Sequence, residues 1–288
     1  MSASARRRLV NIGVDLNVWE WPGAAATFVL LHGLASNART WSQVAELLAR
    51  RGHRVVAYDQ RGHGLSEKPA SGYSFEECSE DLARLIGGLQ LERPIIAGQS
   101  WGGNVVLAFA AAHPRSARGL AFVDGGFLDL RARPGATREG TLRELQPPEL
   151  GNMTFAAMAA QVRAAHLQWS ARAIEDTLAN LEQQPDGTVR RRLPLGQHMA
   201  ILQAMWEQDP RALYPQVRNP VLICAVEPAA PAAREQRRRE VAAAAEALAV
   251  SRVEWFSDTD HDIHVHRPRE LTESLLRETE NGLWANTD

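Results

Sequence analysis

The sequence predicts an α/β protein: a mostly parallel sheet covered by helices on both faces, interrupted by a helical insertion. Three observations carry this. Short apolar runs alternate with stretches of helical spacing from Thr27 onward, as expected of strands joined by crossover helices. One junction, Gly98-Gln99-Ser100-Trp101-Gly102, lies between a strand pattern and a helix pattern. The alternation stops across residues 128–215 and then resumes.

Residues 9–21 alternate apolar and polar side chains around Gly13-Val14-Asp15, which reads as a hairpin with Val14, Leu16 and Val18 on one face. Residues 27–31 form a continuous apolar run, the mark of a strand buried on both faces. Helical spacing follows through Val44, Leu47 and Leu48 and stops at Gly52. Residues 54–58 are the next strand and lead into the Gly-rich turn Asp59–Ser66. A helix starts at Ser74, with Glu77 completing a capping box. Residues 95–99 and 119–123 are strands, separated by a helix reaching His113-Pro114.

In the insertion, residues 131–151 show little periodicity. Three helices follow, carrying Phe155, Met158 and Trp169, then Ile174 and Leu178, then Ile201, Met205 and Trp206. Residues 221–226 and 252–256 are the last strands. The Ala/Arg/Glu-rich helix between them presents its charge run as a solvated face, and residues 258–266 read as a loop before a closing helix. This divides the chain into a core of residues 1–127 and 216–288 and a helical cap of residues 128–215.

A net charge of −2 across 288 residues excludes an electrostatic footprint for nucleic acid or an anionic membrane. No stretch approaches the roughly 20 apolar residues of a membrane span. The N-terminal residues 1–9 are polar and Arg-bearing with no apolar region after them, so the expectation is a cytoplasmic protein, a monomer or a homodimer. Cys78 and Cys224 have no metal-ligand spacing and read as small buried hydrophobes. No metal and no cofactor is implied.

The chemistry centres on Ser100. A strand turning directly into a helix crowds its apex against residues two positions away, and glycine at both places removes the clash. The hydroxyl is thereby lifted over the sheet edge at a helix N-terminus, whose free N–H groups can hold a developing oxyanion. A serine needs a positioned base. His261, after the last strand, is the candidate, with the order Ser, acid, His preserved along the chain. His264 and His266, just before Pro268, read as solvent-facing. Asp258, Asp260 and Asp262 are too near His261 in sequence to reach its Nδ1 in the usual geometry.

These motifs resemble the α/β-hydrolase superfamily: His32-Gly33 after the third strand, Asp59-Gln60-Arg61-Gly62-His63-Gly64-Leu65-Ser66, the Gly98–Gly103 elbow and the His261 loop. The resemblance spans nearly the whole chain and implies an eight-stranded, mostly parallel sheet. It implies Ser100 as nucleophile, His261 as base, and the N–H groups of Leu34 and Trp101 as the oxyanion hole. The Asp59–Ser66 turn is usually structural in such proteins. This chain departs from the family at the acid. After residues 221–226 the usual Gly-x-x-Asp is Val226-Glu227-Pro228-Ala229, with Ala229 where Asp would stand. Some families carry the acid one strand earlier, where Asp124 lies here; Glu227 is the second candidate.

The expected partner is a small-molecule acyl substrate, a carboxylic ester or a relative, bound by His32, Gly33 and an apolar cap wall of Phe155, Met158, Trp169, Met205 and Trp206. The elbow also resembles that of proline iminopeptidases, and carbon–carbon bond hydrolases and perhydrolases share the arrangement. A non-catalytic binding protein of this fold is the alternative of a different class. Haloalkane dehalogenases and epoxide hydrolases of this fold use an Asp nucleophile, and a serine alkyl ether would be a dead end.

Overall fold

The computed structural model describes residues 5–133 and 135–285. The first four residues of the polar N-terminal stretch, Pro134 in the insertion and the last three residues of the 216–288 segment lie outside it.

Each apolar run forms a strand because its alternate side chains can be buried on opposite faces. The strands are β1 (Arg6–Asn11), β2 (Asp15–Trp21), β3 (Thr27–Leu31), β4 (Arg54–Tyr58), β5 (Ile95–Gln99) and β6 (Gly119–Val123). They pair in one sheet with the later β9 (Val221–Val226) and β10 (Ser251–Phe256), in the order β1-β2-β4-β3-β5-β6-β9-β10. Only the β1–β2 and β2–β4 pairings are antiparallel; from β4 to β10 neighbours run parallel. This is the eight-stranded α/β-hydrolase sheet.

The strand period sorts the core into two layers. Val29, Leu31, Val56, Tyr58 and Ile96 face α2 (Phe75–Gly88) and α3 (Trp101–Ala112). Phe28, Leu30, Val55, Ala57 and Ile95 face α1 (Ser42–Arg50) and the closing helix α11 (Pro268–Glu280). The capping box is present at α2: Glu77 N–H donates to Ser74 Oγ, and Ser74 N–H to the Glu77 carboxylate. Cys78 and Cys224 are free and buried.

Between β6 and β9 lie α4 (Arg138–Leu145), α5 (Phe155–Ala165), α6 (Ala171–Leu178), the hairpin strands β7 (Leu181–Gln183) and β8 (Val189–Arg191), α7 (Leu195–Glu207) and the short α8 (Pro210–Leu213). Helix α4 replaces the irregular segment expected there. It has no long apolar stripe to announce it, only Thr141 fully buried and a Thr137 N-cap accepting from Gly140 N–H. The Pro185-Asp186-Gly187 turn closes the small hairpin. After β9, α9 (Pro231–Ala247) covers the α2–α3 face.

The expected loop before α11 contains a further turn of helix, α10 (Ile263–His266). Its His264 is fully buried against Trp41, with ring centroids 4.5 Å apart, so the solvent-facing reading is corrected. Burial there pushes the His264 pKa down to about 3. His266 is also mostly covered, its ring between Thr259 Oγ1 and Gln168 Oε1. Among the described residues no helix is long and apolar enough to cross a membrane.

Candidate active site

Parallel strands deliver their C-terminal ends to one edge, where loops can converge. Ser100 follows β5, Asp124 follows β6 and His261 follows β10. The serine sits at φ 54°, ψ −124°, a strained conformation for a residue with a Cβ. The flanking glycines are sterically required. A Cβ on Gly98 would stand 2.3 Å from the Gly102 carbonyl oxygen, and one on Gly102 2.4 Å from that of His32. Ser100 N–H donates to Val123 O at 3.0 Å, tying the elbow to the strand that leads to Asp124.

Asp124 is buried and also lies at positive φ, 43°. Its N–H bonds Cys224 O at 2.7 Å, so its placement depends on both neighbouring strands. The carboxylate is held from three sides. His261 Nδ1–H donates to Oδ2 at 2.5 Å; Arg237 Nη1 and the Val226 N–H donate to Oδ1 at 2.5 and 3.1 Å. Burial opposes its charge, but the His261 bond and charge, Arg237 and the Val226 amide outweigh burial and lower its pKa. Burial likewise opposes the His261 imidazolium, and Asp124 overcomes it to raise the pKa above 6.5. The His261 side chain is 48% exposed, so its far edge remains reachable.

Glu227, the other acid candidate, points away. It pairs with Arg238 at 2.5 Å and accepts from Ser257 Oγ at 3.1 Å. Asp260 is likewise engaged, accepting from Trp169 Nε1 at 3.0 Å beside His166.

Two residues near this site were not read from the sequence. Arg237 belongs to the α9 charge run taken for a solvated face, yet it turns inward over the Phe127 ring and onto Asp124. The available signal was the spacing Ala233, Arg237, Val241, Ala244, which puts the arginine on the helix face that carries the buried Val241 and Ala244. Gln99 donates through Nε2 to the His261 carbonyl at 3.2 Å, linking the elbow to the histidine loop.

Ser100, His261, Asp124 and Leu34 line one cavity of about 800 Å³. Trp101 begins α3, so its N–H has no intrahelical acceptor, and its ring is buried, stacked on His63 at 5.2 Å. His63 itself is fully buried and accepts from Ala35 N–H at 3.2 Å.

Of the residues expected to bind substrate, Met205 lines the cavity and the others stand elsewhere. His32 is fully buried. Its Nδ1 is paired with Gly33 O and its Nε2 with the Gln60 N–H, at 2.8 and 3.0 Å. Burial pushes its pKa down to about 4, so it serves as a neutral brace of the turn. Gly33 is packed against Gln99 behind Ser100. Phe155, Met158 and Trp169 form a separate apolar cluster with Ile174, Leu178 and Val265, where the insertion meets α10. Trp206 packs on the margin of the main core. One residue along a helix is a rotation of about 100°, which takes Trp206 off the Met205 face. The cavity face of α7 is instead His198, Leu202 and Met205, at spacings of four and three. The remaining wall is mixed: Leu128, Leu130 and Leu145 with Asp129, Arg133, Glu144, Gln236 and Glu240. Among the described residues no group of three or more His, Cys, Asp or Glu could hold a metal ion.

Comparison with known proteins bears on the fold. The family model for the alpha/beta hydrolase fold matches residues 26–226. The 2-(acetamidomethylene)succinate hydrolase of Mesorhizobium japonicum is 36% identical over 118 residues, 41% of this chain and 42% of that protein. A fluoroacetate dehalogenase of a Burkholderia species is 37% identical over 124 residues, 41% of this chain and 40% of that one. The chain thus spans well under half the length of these curated relatives. A crystal structure of E-2-(acetamidomethylene)succinate hydrolase superposes with a TM-score of 0.75 at 24% identity, covering 94% of this chain and 98% of that one, a likeness of fold. On the strength of the family match and the sheet, the chain belongs to the α/β-hydrolase fold family.

Proposed function

We propose that this hydrolase-fold enzyme cleaves a carboxylic ester or related acyl compound through an acyl-enzyme on Ser100. The observation that carries the reading is the 2.5 Å bond from His261 Nδ1 to buried Asp124, on the wall of the same cavity as strained Ser100. That bond presents His261 with Nδ1 protonated and Nε2 as the basic nitrogen.

In this reading His261 Nε2 takes the Ser100 proton as Oγ attacks the substrate carbonyl. The N–H groups of Leu34 and Trp101 receive the oxyanion, and their side chains matter little because the backbone donates. His261 then returns its proton to the leaving alcohol. Water, activated by the same nitrogen, releases the acid and restores Ser100. Asp124 stays ionised throughout and stabilises the imidazolium. Residues 128–215 act as the lid that supplies the upper wall, through α4 and α7.

The dehalogenase name among the relatives does not transfer, since displacement at an alkyl carbon by Ser100 would end in a stable ether. The hydrolase name is compatible with acyl transfer. The test is turnover of a panel of p-nitrophenyl esters of graded chain length, beside proline arylamides and lactones. Ser100→Ala should lose on the order of 10⁴ or more in kcat while its circular dichroism stays that of the parent. Near-parental turnover by the folded variant would remove the proposal.

A further inference from the structure

We infer that the seam between the Asp59–Ser66 turn and the inserted segment holds a second ligand site, which takes an organic anion with an apolar body: a hydrocarbon chain ending in a carboxylate or a phosphate. The inference does not depend on the acyl-transfer reading, because no residue that lines this cavity also lines the one at Ser100.

The cavity measures about 740 Å³. Its walls are Gly64, Leu65 and Lys68 from the core, and residues 147–150, 182 and 189–195 from the insertion. The cations Lys68, Arg190, Arg191 and Arg192 stand on it against the carboxylates of Glu149 and Glu182, a local positive excess on a chain whose net charge is −2. Glu182 is matched by Arg190 at 2.5 Å, and Glu149 is exposed without an ion pair among the described residues. Lys68 Nζ is held by backbone, donating to Gly64 O and Ser66 O at 3.0 and 2.8 Å. Arg192 donates through Nε to Ala179 O at 3.2 Å, and its terminal nitrogens have no protein partner among the described residues.

Arg191 is the residue that points to a ligand. It is half-buried, yet among the described residues its guanidinium has no hydrogen bond and no ion pair. Every other described arginine in that condition is exposed. Burial lowers the Arg191 pKa, and no carboxylate opposes this. Its nitrogens remain open to solvent, unlike orphaned core atoms such as Trp21 Nε1. A partly desolvated charge without a partner is costly, and an arriving anion removes that cost. The planar fork of a guanidinium fits a carboxylate or a phosphate through two parallel hydrogen bonds. The apolar body follows from the rest of the wall, where Leu65, Pro148, Leu150, Leu193 and Leu195 stand beside the cations. Leu65 and Leu195 are among the few large apolar side chains left exposed. Exposed apolar surface beside a few convergent polar groups is the composition of a ligand groove.

The test is isothermal titration calorimetry with decanoate, decyl phosphate, butyrate, decanol and decyltrimethylammonium. Decanoate or decyl phosphate should bind about 10-fold or more tightly than decanol, and more weakly as salt is raised. The tighter of the two identifies the head group, and butyrate should bind about 10-fold or more weakly than decanoate because it leaves the apolar wall bare. Arg191→Gln and Arg192→Gln, checked for folding by circular dichroism, should each weaken the preferred anion about 10-fold or more. Met205→Ala, in the wall of the other cavity, should leave its affinity within about 3-fold. Because core and insertion both supply walls, the ligand should also raise Tm and slow proteolysis within residues 128–215. No preference for either anion over decanol, tighter binding of the cation, butyrate equal to decanoate, or an affinity unchanged in the folded arginine variants overturns the site. An affinity that falls in Met205→Ala as far as in Arg191→Gln overturns it too, since the ligand then sits at Ser100.

Discussion

Asp124 is the residue on which the proposed chemistry turns, because three donors converge on a carboxylate that burial would otherwise neutralise. The base must be neutral to accept the Ser100 proton, and its pKa is raised. The pH profile of kcat/KM should therefore show an acidic limb with its midpoint above 6.5, activity being lost as pH falls through it. Asp124→Asn removes the charge that raises this pKa, so the limb should move to lower pH while kcat falls on the order of 10³–10⁴. Arg237→Gln should do the opposite to the limb. The guanidinium lowers the His261 pKa, so its loss shifts the limb to higher pH and reduces the neutral fraction at pH 7. A limb that stays in place, or moves toward acid, would show that Arg237 does not act on this pair. The Asp124 position was legible from the alanine at position 229, where the family's acid is missing. Arg237 was not, because among seven other charged or polar residues of its helix an inward-turned arginine has the same composition as an outward one.

At the scale of the element, the elbow and α7 show what sequence spacing can and cannot carry. The elbow is local: two glycines, one serine and a strand-to-helix switch define it within five residues. Gly98→Ala or Gly102→Ala drives a methyl into backbone at 2.3 or 2.4 Å. Either should cost about 3 kcal/mol or more, measured by urea denaturation, since backbone cannot move aside as a side chain can. Helix α7 is not local in this sense. Its apolar residues Ile201, Leu202, Met205 and Trp206 leave the facing direction open until the helix is docked, and the docked face is His198, Leu202 and Met205. Shrinking Met205 to Ala should widen ester chain-length preference, whereas Trp206→Ala should leave it unchanged. The reverse ranking would place the wall on the wrong side of the helix.

At the scale of the molecule, the sheet was legible because buried parallel strands are continuous apolar runs whose order of loops is set by topology. The inserted segment was less so. Part of its anchoring to the core is polar and long-range: Asn37 donates to Asp176 O and Asn180 Oδ1 at 2.9 and 2.6 Å, and Arg39 pairs with Asp176 at 2.8 Å. Asp176 is buried, and burial raises its pKa against the pull of Arg39 and Arg172. Arg39→Ala leaves that carboxylate with Arg172 at 3.6 Å as its remaining ion-pair partner. The expected cost is about 1–3 kcal/mol, seen as a fall in Tm of several degrees and faster proteolysis within residues 128–215. An unchanged Tm would mean the insertion is held by its apolar contacts without this polar anchor.

The central claim is that Ser100 carries the acyl group between attack and release. The direct measurement is mass spectrometry of protein quenched in acid within the first turnovers of a p-nitrophenyl ester, followed by peptide mapping. The account predicts one added acyl group, on the peptide containing Ser100, present in the parent and absent in Ser100→Ala. A folded, turning-over parent with no adduct, or with the adduct on another residue, would contradict it.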